Sequence, residues 1–244
     1  MSPRTVQYIH VTLHKALKDA VSDGLIPKNV ADGIKTSKPK KKEINPLNPE
    51  PAKAFLRAVG GDRYEALYVL AIHCGHRQGE LLGLKWADVD LEAGTLQVRR
   101  TMSETRTGRV EEETKNRKGR RIELSRTVIE ALSRHRKRQN EERLRSGSKW
   151  WDQGLVFASQ RGTPTNSKSL YYRSFKAILE RAGLPDICFH ELRHTCATIR
   201  FMKGQHPKRV SEILGHSSVA ITLDIYSHVI PGLGGDDPME DALS

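Results

Sequence analysis

His190-Glu191-Leu192-Arg193-His194, Leu214-Gly215-His216-Ser217-Ser218 and Ile221-Thr222-Leu223-Asp224-Ile225-Tyr226-Ser227-His228 form the stretch on which the reading of this chain turns. Helical patterns begin at His190, Pro207 and Ser218. On the first of these helices His190 and Arg193, three residues apart, share a face. The same five residues also satisfy H-E-x-x-H, which on a helix sets two imidazoles one turn apart around a zinc, with the glutamate as general base. Glu212 lies downstream where a third ligand could sit, so a zinc metalloprotease is one enzyme class to weigh. Arg193 inside the motif speaks against it, because it would place a fixed positive charge beside the metal.

Upstream, Asp62 to Cys74 reads as a helix opened by a capping Asp62 and stopped by Gly75, preceded by another helix over Pro49 to Val59. Three short strands follow, over Thr95 to Met102, Val110 to Glu113 and Arg121 to Leu124, with turns at Thr107-Gly108 and Lys118-Gly119. Helices resume at Ser125 and Ser167. The expected fold of residues 45–231 is therefore mostly α with a small antiparallel β-sheet, an α+β arrangement. Before it, Val6, Ile9, Leu13, Ala16, Leu17, Ala20 and Val21 recur at helical spacing between Arg4 and Asp23, with a short second helix expected near Val30. Ser37-Lys38-Pro39-Lys40-Lys41-Lys42-Glu43 then reads as a basic linker that could cross a phosphate backbone through Lys40, Lys41 and Lys42. One or two helices bury no core alone, so residues 1–44 read as the end of a helical domain whose beginning lies outside this sequence.

Lys and Arg outnumber Asp and Glu by 41 to 29, a formal charge of +12, and the basic residues recur along the whole length. A polyanionic partner is the natural expectation, although a merely basic, ribosome-associated protein would share that charge. Cys74, Cys188 and Cys196 are odd in number and lack CxxC spacing, which suggests neither a disulfide framework nor a zinc knuckle and points to a reducing cytoplasm. No apolar run reaches membrane-spanning length. No metal and no cofactor is expected.

Five signals taken in order, namely Gly75-His76-Arg77-Gln78-Gly79-Glu80, the basic turn around Lys115, His190 to His194, Leu214 to Ser218, and Tyr226 ten residues after His216, closely resemble the phage-integrase family of tyrosine recombinases. The resemblance covers essentially all of residues 45–231. It departs from the family in small ways: Cys74 stands where a threonine is commoner, and His76 fills the variable place before Arg77. It implies a site-specific recombinase that cleaves and rejoins DNA through a covalent 3′-phosphotyrosine and exchanges strands through a Holliday junction. Type IB topoisomerase-like strand transfer is a close alternative, and a catalytically dead DNA-binding module a more distant one.

On this resemblance Tyr226 is the nucleophile, and a phenolate leaves well enough for its attack to be reversed. Arg77 and Arg193 would clamp the nonbridging oxygens with planar, permanently charged forks. His190 would accept the Tyr226 proton or bond the phosphate, and His216 would donate to a nonbridging oxygen. Lys115 matches the turn lysine that protonates the leaving 5′ oxygen, with Lys118 as its competitor. Glu80, one turn after Arg77, would orient an arginine. His194 is expected to be a core histidine with a structural role. Arg117, Lys118, Arg120 and Arg121 would add phosphate contacts.

The expected partners are double-stranded DNA carrying attachment sites and three further copies of the chain in a tetramer on DNA, with an accessory directionality protein as a further candidate. The expected setting is the cytoplasm of a bacterial host, at the nucleoid. Residues 232–244 read as a flexible acidic tail after Pro231-Gly232-Leu233-Gly234-Gly235, and Met239, Ala242 and Leu243 would give it a small apolar face for a neighbouring subunit.

Overall fold

The computed structural model describes residues 1–37, 44–105, 108–113 and 119–230. The expectations for Lys40, Lys41, Lys42, Lys115, Arg117, Lys118 and the tail therefore lie outside the described residues. The chain divides into two compact units after Ile44. In the first, α1 (Pro3–Ser22) begins with Pro at its first position and a capping Ser2 whose Oγ accepts from Thr5 N at 3.2 Å. The short helix expected near Val30 does not form. Instead Asn29 turns the chain, its Oδ1 accepting from Ala31 N at 2.9 Å and its Nδ2 donating to His14 O at 3.0 Å. That local side-chain bonding competes with a helix.

In the second unit, α2 (Pro49–Ala58) precedes α3 (Glu65–Cys74), which is apolar on nearly all sides and buried from Ala66 to Ile72. A helix hydrophobic all round belongs in the middle of a protein. Here it packs against both α5 (Arg126–Ser146) and α8 (Glu191–Met202). Asp62 does not cap α3 directly: its Oδ1 accepts from Tyr64 N at 2.7 Å in a turn, and the helix starts three residues later than expected. Tyr68, Phe55, Phe175 and Phe189 form an aromatic knot with ring centroids 5.5–6.1 Å apart. Each such buried ring contributes roughly 1.5–3 kcal/mol by leaving water. Gly75 ends α3 in the left-handed region (φ 65°), and a Cβ there would lie 2.5 Å from Leu214 Cδ2. Only glycine satisfies both the turn and the packing.

After α4 (Gln78–Leu82) the chain forms two small sheets rather than one. The first pairs β1 (Val89–Asp90), β2 (Thr95–Val98) and β5 (Arg120–Glu123) in the order β1-β2-β5, all antiparallel, with Leu96 opposite Ile122. The second is a hairpin of β3 (Arg100–Thr105) and β4 (Gly108–Glu113) that packs on α4. The expected single strand from Thr95 to Met102 thus breaks at Arg99. The break follows from tertiary pairing, since Arg100 turns its guanidinium to the buried Asp88 and to Glu111 (3.1 Å). The expected helix from Ser167 is α6 (Ser167–Ser169), a π-helical segment (Leu170–Phe175) and α7 (Lys176–Arg181). Finally α9 (Pro207–Leu214) and α10 (Val219–Tyr226) close a second, smaller core of Ala197, Phe201, Val210, Leu214 and Tyr226.

Candidate active site

Arg77 stands at the cap of α4, one residue past the Gly75-His76 turn, and its side chain is 45% exposed. Glu80, three residues on and 3% exposed, accepts from Arg77 N and from Arg77 Nη1, each at 2.9 Å. This is the carboxylate half of a capping box, and it ties the arginine's backbone and fork to one acid. Burial by itself pushes the Glu80 carboxyl up, yet the hydrogen bonds and charge of Arg120 hold it far below the usual carboxylate range.

Arg120 supplies that charge. Its Nη1 and Nη2 donate to the two Glu80 oxygens at 3.0 and 2.7 Å, and its Nε donates to Ile213 O at 2.9 Å. Arg120 was expected to contact DNA phosphates; in the structure its Nε, Nη1 and Nη2 each donate to a protein acceptor inside the site. Arg121, the next residue, is exposed on the opposite face of β5, as the two-residue period of a strand requires.

Arg193 projects from α8 and is 2% exposed. Its Nη1 donates at 2.7 Å both to Gly75 O and to Leu214 O, so it bridges the C-terminal ends of α3 and α9. Its Nη2 is buried and has no protein partner among the described residues. Burial, and then the charge of Arg77, lower the Arg193 pKa to about 10, still well above neutrality. His190 caps α8, and its ring meets that of His194 edge-on with centroids 4.9 Å apart. Partial burial, with Arg193 and Arg77 next, lowers the His190 pKa.

His216 follows Gly215, which ends α9 in the left-handed region (φ 68°), and its Nδ1 lies 2.7 Å from Thr222 Oγ1. Burial, then the charges of Arg193, Arg77 and Arg120, push its pKa down to about 4. When Thr222 donates to Nδ1, the ring's hydrogen sits on Nε2.

Tyr226 is the last residue of α10, 1% exposed and packed on Phe201 at 5.7 Å. Its hydroxyl lies 2.6 Å from His194 Nδ1. His194, expected to be purely structural, is therefore the histidine at the candidate nucleophile. The geometry assigns the phenol's hydrogen bond to it rather than to His190. Burial, and then His190 and Arg193, lower the His194 pKa to about 4, so at neutral pH the ring is uncharged. Burial raises the Tyr226 hydroxyl in spite of Arg193.

The H-E-x-x-H residues do not assemble as a metal set. Glu191 is buried and accepts from Asn45 N at 3.2 Å, while Glu212 lies 3.8 Å from Arg209. Among the described residues no three His, Cys, Asp or Glu side chains gather as a metal site.

Residues 40–231 match the phage integrase family, and the chain belongs to that family. It is 37% identical over 252 residues to the tyrosine recombinase XerC-like protein of Caldanaerobacter subterraneus subsp. tengcongensis, covering 94% of this chain and 63% of that protein. It is 26% identical to the ICEBs1 integrase of Bacillus subtilis, covering 100% of this chain and 67% of that one. In fold it superimposes on the Tn1549 transposon integrase in complex with a circular intermediate DNA, with a TM-score of 0.78 at 22% identity over 100% of this chain and 80% of that one. It also matches the XerH site-specific recombinase bound to its difH substrate, with a TM-score of 0.62 at 25% identity over 90% of this chain and 58% of that one. Among the described residues no helix is long and apolar enough to cross a membrane.

Proposed function

We propose that residues 45–231 are the catalytic unit of a site-specific DNA recombinase in which Tyr226 is the nucleophile. The observation that carries the proposal is the grouping of Arg77, Arg193, His190, His194 and His216 near the Tyr226 end of α10. Contacts tie the group together: His194 Nδ1 lies 2.6 Å from the Tyr226 hydroxyl, Arg193 holds Leu214 O two residues before His216, and Arg77 shares Glu80 with Arg120, which holds Ile213 O. Within this reading Tyr226 Oη attacks the scissile phosphorus, a 3′-phosphotyrosyl bond forms, and the P–O5′ bond breaks. The phenolic proton leaves towards the His194–His190 pair, and Lys115 protonates the departing 5′ oxygen. Attack by a 5′-hydroxyl of the partner strand reverses these steps, so the bond energy is kept in the covalent link.

Arg193 Nη2, with N–H groups that no protein acceptor takes among the described residues, and the Arg77 fork would clamp the nonbridging oxygens as negative charge builds there. Since Tyr226 is enclosed and bonded to His194, α10 has to shift before the hydroxyl can reach phosphorus. Binding of duplex DNA supplies the free energy for that shift if it favours the open arrangement. The assembly that fits this chemistry is a tetramer on two duplexes exchanging strands through a Holliday junction, in a bacterial cytoplasm, with an accessory directionality protein as a further candidate partner.

The test is incubation with candidate attachment-site duplexes nicked beside the scissile phosphate, followed by denaturing electrophoresis. A covalent protein–DNA band that forms with the wild type and not with Tyr226→Phe is the expected result. A band that persists in Tyr226→Phe removes the nucleophile assignment.

A further inference from the structure

Glu80 and Arg120 form a buried pair that the chemistry above does not use. Glu80 carries one negative charge and touches two guanidinium groups: Oε1 accepts from Arg77 Nη1 and Arg120 Nη1, and Oε2 from Arg77 N and Arg120 Nη2. One positive charge is thus left over. Among the described residues only Nη1 of the Arg77 fork is engaged, so the rest of that fork is left to an incoming anion. Were Arg120 absent, Glu80 would have Arg77 as its only paired cation and would cancel it.

Arg120 also fixes a second part of the site. Its Nε holds Ile213 O at 2.9 Å, three residues before His216. A Cβ on Gly215 would lie 2.8 Å from its Nη1, so the turn that presents His216 is moulded on this guanidinium. In the sequence, Arg120 opens β5 five residues after Lys115.

We propose that Arg120 is a positioning residue for phosphate cleavage. It takes up Glu80 so that Arg77 faces the substrate, and it holds the His216 turn in register with Arg77. The proposal rests on the recombinase reading and deepens it. Besides Arg77 and Arg120, the titratable and charged groups acting with Glu80 are His76, His190 and Arg193. His76 is buried, and burial lowers its pKa to about 3, so it supplies no compensating charge near neutrality. Loss of Arg120 should therefore let burial dominate and bring the Glu80 carboxyl up into an observable range.

The experiment compares the full chain as wild type, Arg120→Gln, Arg120→Lys, Glu80→Gln and Glu80→Gln/Arg120→Gln. Covalent-adduct rates are measured at saturating nicked duplex and DNA affinity separately, and Glu80 is titrated by carboxyl carbon-13 NMR against the Glu80→Gln spectrum. The expected loss for Arg120→Gln is on the order of 10²-fold in rate, the effect of a small misplacement of reacting groups, with affinity nearly unchanged. Arg120→Lys keeps the charge without the fork and recovers part of the rate. Substitutions acting through one contact are non-additive, so the double variant should lose less than the product of the single losses. Glu80 should titrate at higher pH in Arg120→Gln than in the wild type.

An unmoved Glu80 titration, independent losses in the double variant, or a loss of affinity equal to the loss of rate would each overturn the proposal, the last by making Arg120 a DNA contact. Should Arg120→Gln not fold, Arg120→Lys carries the same kinetic and titration comparisons. If the wild type yields no Tyr226-dependent adduct, the recombinase reading falls, while the Glu80 titration still judges Arg120.

Discussion

Tyr226→Phe separates the chemistry of this residue from its place in the fold. The ring would keep its packing on Phe201, and only the hydroxyl 2.6 Å from His194 Nδ1 is lost. A single neutral hydrogen bond contributes about 1 kcal/mol net, and the half-buried His194 nitrogen left behind keeps the loss near that figure. For a unit of this size, about 1 kcal/mol lowers Tm by ~2–4 °C. Calorimetry on the wild type, Tyr226→Phe, His194→Leu and the double variant would measure it. The two single losses should overlap, since both break the same bond, with a coupling of about 0.5–1.5 kcal/mol. A Tyr226→Phe chain as stable as the wild type, or single losses that simply add, would show that the hydroxyl is not held by His194 in solution. The stability loss should persist in the absence of DNA, whereas the loss of adduct is visible only with it.

Replacing Arg77 or Arg193 by Lys should lower the adduct rate on the order of 10³-fold or more. Only Arg193→Lys should also lower Tm appreciably, because Arg193 alone is buried with two carbonyls in hand. A 5′-bridging sulfur leaving group needs little protonation and should rescue Lys115→Ala. Rescue of Lys118→Ala instead would exchange the two roles. Adduct formation should continue in excess chelator; stoichiometric zinc in the purified protein, lost together with activity on chelation, would overturn this metal independence. His76 and His135, lowered mainly by burial to about 3 and about 4, are neutral when folded and take up protons on unfolding. Stability should therefore fall as pH drops from 6.5 towards 4, by up to ~1.4 kcal/mol per pH unit for each histidine. Urea midpoints that stay flat over this window would refute that.

What the sequence makes legible is whatever local physics decides. His216 and Tyr226 stand out only through the family resemblance, whereas Gly75 as a helix stop, the apolar run of α3 and the shared helix face of His190 and Arg193 follow from short-range rules. The break at Arg99 does not, because β-forming residues run on through Met102 and the partner that bends the chain, Asp88, is fixed only in three dimensions. His194 is hidden for the same reason: its contact with Tyr226 spans 32 residues, and beside Arg193 it looks like any helical histidine. Arg120 was findable. The alternation Arg120-Arg121-Ile122-Glu123-Leu124 places it on the side of the buried Ile122 and Leu124, and a basic residue in that row points inward, away from solvent.

The bonds from Arg193 to the carbonyls that end α3 and α9 make the guanidinium proposed as a phosphate clamp a rivet as well. A chain that had abandoned DNA chemistry would still need it to keep two helix ends together, whereas the half-exposed Arg77 is tied to Glu80, an acid that Arg120 pairs as well. An arginine at this place in a related sequence is therefore weak testimony of activity, and the pair of Arg77 and Tyr226 is the better witness. For the same reason an inactive chain meant to trap bound DNA is better made at Tyr226 than at Arg193, where the loss of function and the loss of shape would arrive together.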